Sequence, residues 1–292
     1  MGILASISIG INPNLFDFAN FTLSWHGVMT FVAVATAVWL VARWGSKEGM
    51  NVDSIYSVAV WAIIGGVIGA RILHVIDFWD EVYRDDFISV FSVWAGGIAI
   101  YGAIIGGFIG GALYIMIRNS EWFLSMWRTV FPFMGEAHRA NLPGIGRLAD
   151  ITVPALLIAQ AIGRVGDVIN GEHFAKVTDL PWGVIYTHAN SPGIFRPPTH
   201  PAVGYELIFD LVLLAAIWPL RDRLRPHGMF FALYLATYSI GRFFLSFLRE
   251  EFNEYFGGNL NEAQVVAIIV VLVTVPLLVW KAQLVRPSAN RA

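Results

Sequence analysis

The sequence predicts an all-α, polytopic membrane protein with about seven transmembrane helices. Of its 292 residues, 57% are hydrophobic and only 14% are charged, whereas roughly a quarter of the residues are charged in soluble domains. The mean hydropathy is +0.63. Apolar stretches of about 20 residues, the length that crosses a bilayer, occur seven times along the chain. We therefore expect residues 1–292 to form a single membrane domain.

The second and third predicted spans are unusually rich in glycine. They contain "GGVIGA" (65–70) and "GAIIGGFIGG" (102–111), which are typical of helices whose backbones approach closely. We expect tight helix packing at these glycines rather than a direct contact with a substrate. The seven predicted spans cover residues 25–44, 56–78, 98–118, 149–170, 204–220, 229–248 and 263–281.

The distribution of Lys and Arg predicts the orientation in the membrane. One set of connections holds twelve of these residues and the other holds four, and the richer set is expected in the cytoplasm. The N-terminus is then outside and the C-terminus is cytoplasmic. Residues 171–202 become an outer loop rich in Pro and Gly. Residues 119–148 become a cytoplasmic interfacial loop, with aromatic side chains such as Trp122 and Trp127 among basic ones.

Net charge and cysteine content exclude several classes of function. The net charge is -2 and the basic residues are scattered, so we expect no nucleic-acid partner. The chain has no cysteine, which excludes a disulfide, a thiolate nucleophile and a thiolate metal site. We predict neither a metal nor a cofactor. Any thiol in the chemistry of this protein must come from a substrate.

Three arginines lie inside predicted spans, namely Arg71, Arg164 and Arg242 in the second, fourth and sixth. Each falls in the half of its span nearer the outer face, so we expect the three guanidinium groups to converge at one depth. A charge inside a membrane costs several kcal/mol unless it is paired or in a wet cavity. Because guanidinium binds phosphate bidentately, an anionic lipid headgroup is the expected partner. The alternative is internal pairing with carboxylates, for which Asp77, Asp167, Glu206 and Asp210 are available.

Other polar residues are expected near the outer face. Arg164, Asp167 and Asn170 are three residues apart and share one helical face. Glu172 follows at the interface and is a candidate catalytic residue. Tyr205, Glu206 and Asp210 open the fifth span and would complete a polar wall. His26 begins the first span and Arg249 follows the sixth, so we expect both to contribute to substrate binding. His200 is either an interfacial anchor or a functional residue.

Six sequence elements resemble those of the prolipoprotein diacylglyceryl transferase family, in the same order and over nearly the whole chain. The segment "GRVGDVINGEHFAKVTDLPWGVIY" (163–186) is similar to the family signature G-R-x-G-N-x-x-N-G-E followed by P-W-G. The other five are "LSWHGVM" (23–29), "GARILHVIDFW" (69–79), "VWAGGIAIYGAIIGG" (93–107), "HPAVGYE" (200–206) and "GRFFLSFLRE" (241–250).

The resemblance implies a transferase of the bacterial cytoplasmic (inner) membrane. It would move the diacylglyceryl group of phosphatidylglycerol to the lipobox cysteine thiol of a preprolipoprotein and release glycerol phosphate. Its implied partners are phosphatidylglycerol, preprolipoprotein signal peptides and membrane lipids. Arg164 and Arg242 match the functional arginines of the family and Arg71 matches a further one. The remaining polar positions of the family correspond to Asn170, Gly171, Glu172, Tyr205 and Glu206.

Four positions depart from the family pattern. Tyr101 replaces a histidine of the third span, Ser246 replaces a glutamate, Asp167 replaces an asparagine and Ala95 replaces an aspartate. A phenol with a reference pKa near 10 can hydrogen-bond a phosphate but is a poor base at neutral pH. Tyr101 and Ser246 therefore put the activity in question.

A histidine elsewhere would be a better base. His74, three residues after Arg71 on the same helical face, is our candidate for deprotonating the thiol, and His26 is a second candidate.

Two other functions fit the same sequence. The first is a divergent, catalytically silent relative that binds anionic lipid or lipoprotein precursors. The second is a transporter for an anionic solute. The sequence shows no two-half symmetry and no pair of broken helices at matching positions, which argues against a transporter.

Overall fold

The computed structural model describes residues 6–18, 21–92, 99–135, 139, 142, 144–250, 254–255 and 260–285. Seven helices in this part of the chain are long and apolar enough to cross a membrane. The predicted all-α class and the seven spans are therefore confirmed, whereas the orientation of the termini stays a prediction. The α-helices are α1 Trp25–Lys47, α2 Val52–Asp77, α3 Ile100–Arg118, α4 Glu121–Val130, α5 Ile145–Asn170, α6 Ala202–Ile217, α7 Met229–Leu245 and α8 Glu262–Lys281.

The chain divides into two compact units. One comprises Met1–Leu40 with Ala149–Ala292, and the other comprises Val41–Leu148. The first unit contains α6, α7, α8 and most of α1 and α5, and the second contains α2, α3 and α4. The glycine-rich element at 93–107 begins outside the described residues, which is also where Ala95 lies.

In the second unit, α2 and α3 pack backbone to backbone through glycine. A Cβ added to Gly106 would lie 2.2 Å from the carbonyl oxygen of Gly65, and one added to Gly102 would lie 2.2 Å from that of Gly69. No side chain fits at these distances, so the predicted tight packing is confirmed. Asn51 caps the start of α2, because its Oδ1 accepts hydrogen bonds from the backbone N–H groups of residues 53 and 54 at 2.8 and 3.2 Å.

The predicted interfacial loop 119–148 contains the amphipathic helix α4. The Oγ of Ser120 accepts a hydrogen bond from the backbone N–H of Phe123 at 3.2 Å and so caps this helix. Leu124 is buried, whereas Trp122 is 71% exposed. This two-sided distribution is typical of a helix that lies along a membrane surface. The position of α4 in the membrane interface stays a prediction.

Helices α5, α6 and α7 form the core of the first unit. Asp150 of α5 caps α7, because its carboxylate accepts hydrogen bonds from the backbone N–H groups of Gly228 at 2.8 Å and Phe231 at 2.9 Å. This contact ties the helix of Arg164 to the helix of Arg242. The buried apolar cluster around it comprises Val153, Leu157, Leu213, Ile217, Leu224, Met229, Phe230 and Tyr234.

Short β-strands lie in the segments that precede, connect and follow the helices of the first unit. The strand at residues 184–186, in loop 171–202, pairs in parallel with the N-terminal strand at residues 7–9. The other three pairs of strands are antiparallel. Loop 171–202 is further held by the backbone hydrogen bond from Val184 N–H to the Thr199 carbonyl at 2.9 Å. The strands are β1 Ile7–Ile9, β2 Asn14–Phe18, β3 Phe21–Ser24, β4 Val184–Tyr186, β5 Leu224–Arg225, β6 Glu254–Tyr255, β7 Leu260–Asn261 and β8 Gln283–Leu284, paired β1–β4, β2–β3, β5–β8 and β6–β7.

Candidate functional site

Glu206 of α6 is the centre of a charged network in the first unit. The residue is 3% exposed, and its carboxylate contacts three guanidinium groups. Arg164 Nη2 lies 2.6 Å from Oε2, and Arg242 Nη1 lies 2.5 Å from Oε1. Arg249 Nη1 donates to Oε1 at 3.1 Å. The contact of Arg164 is an ion pair, whereas those of Arg242 and Arg249 are charge-assisted hydrogen bonds, which fix both the position and the direction of a guanidinium group.

Asp167 is the second buried carboxylate of the network, and it lies one turn after Arg164 on α5. Its Oδ2 accepts a hydrogen bond from Arg164 Nη1 at 2.8 Å. Its Oδ1 lies 2.5 Å from Nδ1 of His26, and its Oδ2 lies 3.4 Å from Nε2 of His173. Asp167 therefore links two histidines to the arginine cluster. The shared face of Arg164 and Asp167 agrees with their predicted helical spacing.

His173 closes the network into a ring. Arg249 Nη2 donates to Nδ1 of His173 at 3.0 Å. Because guanidinium can only donate, Nδ1 is the acceptor and the proton of a neutral His173 sits on Nε2, which faces Asp167. Both ring nitrogens are thus committed to charged partners.

His26 reaches the network from the first turn of α1. Its Nδ1 lies 3.4 Å from Glu172 Oε1 as well as beside Asp167, and Glu172 Oε2 accepts a hydrogen bond from Asn170 Nδ2 at 2.8 Å. One ligand atom from each of His26, Asp167 and Glu172 falls within a 4.8 Å cluster that is wide enough for a metal ion. The separation of 2.5 Å between Nδ1 and Oδ1 is that of a short hydrogen bond. The geometry is therefore that of a hydrogen-bonded histidine–carboxylate pair.

Gly171 produces the turn that returns Glu172 and His173 to the end of α5. Its φ is +73°, a conformation that favours glycine, and its N–H donates to the Asp167 carbonyl at 3.0 Å. A Cβ at this position would also lie 2.6 Å from Ser191 Oγ. The predicted binding residue Gly171 thus shapes the backbone of the site.

Two tyrosines connect loop 171–202 to the helices. Tyr205 of α6 accepts a hydrogen bond from Trp182 Nε1 at 2.7 Å and so contacts the P-W-G element. Tyr186 of β4 donates its hydroxyl to the Val168 carbonyl at 2.9 Å. Burial, followed by the Asp167 carboxylate, raises the pKa of Tyr186 to about 12.

Three predicted site residues belong to the second unit. Arg71 is 7% exposed, donates from Nε to the Val90 carbonyl at 2.8 Å, and lies 5.1 Å from the ring centre of Tyr83. The ring of His74 lies 5.9 Å from that of the same tyrosine, as expected for residues on one helical face. Tyr101 lies in the first turns of α3. The convergence of Arg71 with Arg164 and Arg242 stays a prediction.

Two further polar residues lie beside the arginines. Asp210, one turn after Glu206, is 1% exposed and interacts electrostatically with Arg164 and Glu206. Ser246, where the family has glutamate, is also 1% exposed, and its Oγ donates to the Arg242 carbonyl at 2.9 Å. The serine therefore supports the backbone of the arginine and adds no charge.

The sequence interpretation did not identify His173 or Trp182 as site residues. Both stand within the quoted element 163–186, and His173 directly follows Glu172. The sequence feature that indicates a site residue here is a histidine next to a carboxylate, directly after a span that carries Arg164, Asp167 and Asn170. Arg249 is a predicted substrate-binding residue, and its contact with Glu206 is the part that the sequence does not indicate.

The chain was compared with known proteins. The family model described as prolipoprotein diacylglyceryl transferase matches residues 13–280. A protein of Dehalococcoides mccartyi is 33% identical over 276 residues, which cover 94% of this chain and 95% of that relative. A protein of Trichormus variabilis is 31% identical over 291 residues, with 95% and 92% covered. One of Acaryochloris marina is 30% identical over 272 residues, with 92% and 90% covered.

All three relatives are named phosphatidylglycerol–prolipoprotein diacylglyceryl transferase. The identity extends over nearly the full length of both partners in each comparison, and the matched family model covers all seven spans apart from the last residue of α8. This multi-pass membrane protein belongs to the prolipoprotein diacylglyceryl transferase family.

Proposed function

We propose that the protein transfers the diacylglyceryl group of phosphatidylglycerol to the lipobox cysteine thiol of a preprolipoprotein, in the cytoplasmic membrane of a bacterium. Glycerol phosphate is the leaving group. The observation that carries the proposal is the attachment of Arg164, Arg242 and Arg249 to the single carboxylate of Glu206. The names of the relatives support the choice of substrates.

The arginine cluster suits the departure of a phosphate. As the bond between the glyceryl carbon and the phosphate oxygen breaks, negative charge accumulates on the oxygens of the leaving group. Guanidinium groups that are already oriented stabilise this charge without a reorganisation cost. Arg164, Arg242 and Arg249 are 21%, 18% and 11% exposed, so they act in a largely dehydrated setting. Arg71 is a further proposed contact for the headgroup.

The remaining site residues are assigned to substrate positioning. Asn170 and Glu172 are joined by a 2.8 Å hydrogen bond at the end of α5 and would orient the glycerol and ester groups. Tyr205, through Trp182, positions the outer loop, which would receive the signal peptide from the outer face of the membrane. The nucleophile is the substrate's thiol, because the chain has no cysteine.

The test is reconstitution in vesicles that contain phosphatidylglycerol, with a synthetic lipobox peptide as acceptor. Mass spectrometry should detect the diacylglyceryl-modified peptide together with released glycerol phosphate. Arg164→Ala and Arg242→Ala should each lower the rate by at least about 100-fold, the usual effect of losing a donor to developing charge. Arg221→Ala is the matched control, because this arginine lies beyond α6 over the ring of Trp218.

The same assay separates the silent relative from the enzyme. Tyr101 and Ser246 replace a histidine and a glutamate of the family pattern, and this observation favours a relative without catalytic activity. Binding of phosphatidylglycerol without any modified peptide would support the silent relative and contradict the proposed transfer.

A further inference from the structure

We propose that His26 is the general base that removes the proton from the substrate's thiol, and that Asp167 positions it. This inference rests on the proposed function and adds to it the residue that activates the nucleophile. It replaces His74 as the candidate base. The two residues are separated by 141 positions in the sequence and meet where α1 lies against α5.

The close approach of the two helices holds the pair together. A Cβ added to Gly166 would lie 3.0 Å from the Cα of His26 and 2.8 Å from the Cβ of Met29. Only a glycine lets the first turn of α1 come this near to α5. The residue directly after this glycine is Asp167, so the contact delivers the imidazole to the carboxylate.

The hydrogen bond fixes the tautomer of His26. An ionised carboxylate only accepts, so Nδ1, at 2.5 Å from Asp167 Oδ1, carries the proton. In the neutral imidazole the lone pair is then on Nε2. This is the orientation that a carboxylate gives to the histidine base of an acyl-transfer site. The charged groups that act on His26 are Asp167, Glu172 and Arg164.

Exposure distinguishes His26 from its neighbours in the network. Its side chain is 43% exposed, whereas that of Asp167 is 6% exposed. His173 has both ring nitrogens engaged, by Asp167 and by Arg249, and the hydroxyl of Tyr186 is bonded to a carbonyl. Among the described residues of the network, His26 is thus the group that can turn a basic nitrogen toward an incoming thiol.

His26 takes the proton of the thiol, and the thiolate then displaces glycerol phosphate. Nε2 of neutral His26 accepts the S–H proton, and the resulting thiolate attacks the glyceryl carbon that bears the phosphate ester. The S–C bond forms as the C–O bond breaks, and the electron pair of that bond leaves with glycerol phosphate. The proton then passes from His26 to the released phosphate or to water, which regenerates the neutral imidazole.

The experiment uses two acceptor peptides with the full-length protein in phosphatidylglycerol vesicles. One peptide carries the lipobox cysteine and the other carries selenocysteine at the same position, whose selenol is already ionised at neutral pH. His26→Gln should lower the rate with the cysteine peptide by about 10²- to 10⁴-fold, as expected for the loss of a general base. With the selenocysteine peptide the loss should stay below about tenfold, because no base is required.

Two further variants sharpen the test. Asp167→Asn retains an acceptor for the Nδ1 proton of His26. It should also lower the transfer rate to the cysteine peptide more than the rate to the selenocysteine peptide. If His26→Gln does not fold, the two peptides are compared with Asp167→Asn instead. His227→Gln is the matched control, since this histidine lies just before α7 with a side chain that is 46% exposed, and should leave both rates unchanged.

The outcomes distinguish the two proposals. Equal losses with both peptides, or full activity of His26→Gln with the cysteine peptide, would overturn the assignment of the base while leaving the transfer reaction intact. A wild-type protein that modifies neither peptide would overturn the proposed function, and the base with it.

Discussion

Nη2 of Arg164 lies 2.6 Å from Oε2 of Glu206, and this contact joins α5 to α6 through a carboxylate that is 3% exposed. The other oxygen of the same carboxylate contacts Arg242 and Arg249. A buried charge of this kind is tolerated because its partners neutralise it. Removing the shared partner takes one counter-charge from three guanidinium groups at once.

Glu206→Gln should therefore destabilise the protein strongly. The substitution keeps the size of the side chain but removes its charge, so we expect the free energy of unfolding to fall by about 3–5 kcal/mol. The transfer rate should fall as well, by at least about tenfold, because the guanidinium groups lose their common anchor. Denaturation in detergent and the vesicle assay measure the two effects.

Glu250→Gln serves as the control for this substitution. Glu250 also pairs with an arginine, Arg196, but its side chain is 43% exposed. Ion pairs at that exposure contribute about 1 kcal/mol or less, so we expect little change. Equal effects of the two glutamine variants would contradict a special role for Glu206.

Arg249 should be as important for activity as the arginines inside the spans. Its guanidinium bridges Glu206 at 3.1 Å and His173 at 3.0 Å. We expect Arg249→Ala to lower kcat/KM for phosphatidylglycerol by about 100-fold, which corresponds to about 2.7 kcal/mol of transition-state stabilisation. Arg84→Ala, which removes an arginine whose side chain is 70% exposed, should stay within about twofold of wild type. A wild-type kcat/KM in Arg249→Ala would show that this arginine does not contribute to the reaction.

The spans and part of the site could be predicted because they depend on local sequence. Apolar length sets the number of membrane helices, and a spacing of three residues places Arg164 and Asp167 on one face of α5. Helical periodicity carries no information on pairs such as His26 and Asp167, which are 141 residues apart. That contact depends on how α1 packs against α5.

The contact between Arg249, a predicted substrate-binding residue, and Glu206 could not be predicted for a related reason. Counting basic residues in the connections assigns any arginine after a span to the adjoining loop. In the structure a 3₁₀ turn at Ser246–Leu248 follows α7, and the chain then directs Arg249 to Glu206. The geometry of this turn is not encoded in hydropathy, whereas the position of Arg242 within a span follows directly from its apolar neighbours in the sequence.

The glycine contacts between α2 and α3 predict a position-specific effect of alanine. In Gly106→Ala the new Cβ would lie 2.2 Å from the Gly65 carbonyl oxygen, so the helices must separate. We expect a loss of about 1–3 kcal/mol in the free energy of unfolding, as for other overpacked interfaces. Gly111→Ala is the control in the same helix, because its Cβ would meet Val58 Cγ1 at an ordinary 3.4 Å. Similar unfolding midpoints in detergent for both variants would refute the backbone-to-backbone packing.

The raised pKa of Tyr186 should make the free energy of unfolding depend on pH in alkaline solution. Its hydroxyl donates to the Val168 carbonyl at 2.9 Å, and burial beside Asp167 raises its pKa to about 12. A phenol in the unfolded chain titrates near 10. The folded protein therefore favours the neutral form, and this contribution is fully present below about pH 10 and is lost as the pH rises toward about 12.

Tyr186→Phe should remove that part of the alkaline transition. A pKa raised from about 10 in the unfolded chain to about 12 in the folded one corresponds to about 3 kcal/mol, so the free energy of unfolding of the wild type should fall by up to that amount between about pH 10 and pH 12. The variant should be less stable at neutral pH by about 1 kcal/mol, because the hydrogen bond to Val168 is lost, but it should lack this decline. Denaturation curves recorded for both proteins from about pH 8 to pH 12 measure the difference. Parallel pH dependences would show that the hydroxyl of Tyr186 titrates alike in the folded and unfolded chains.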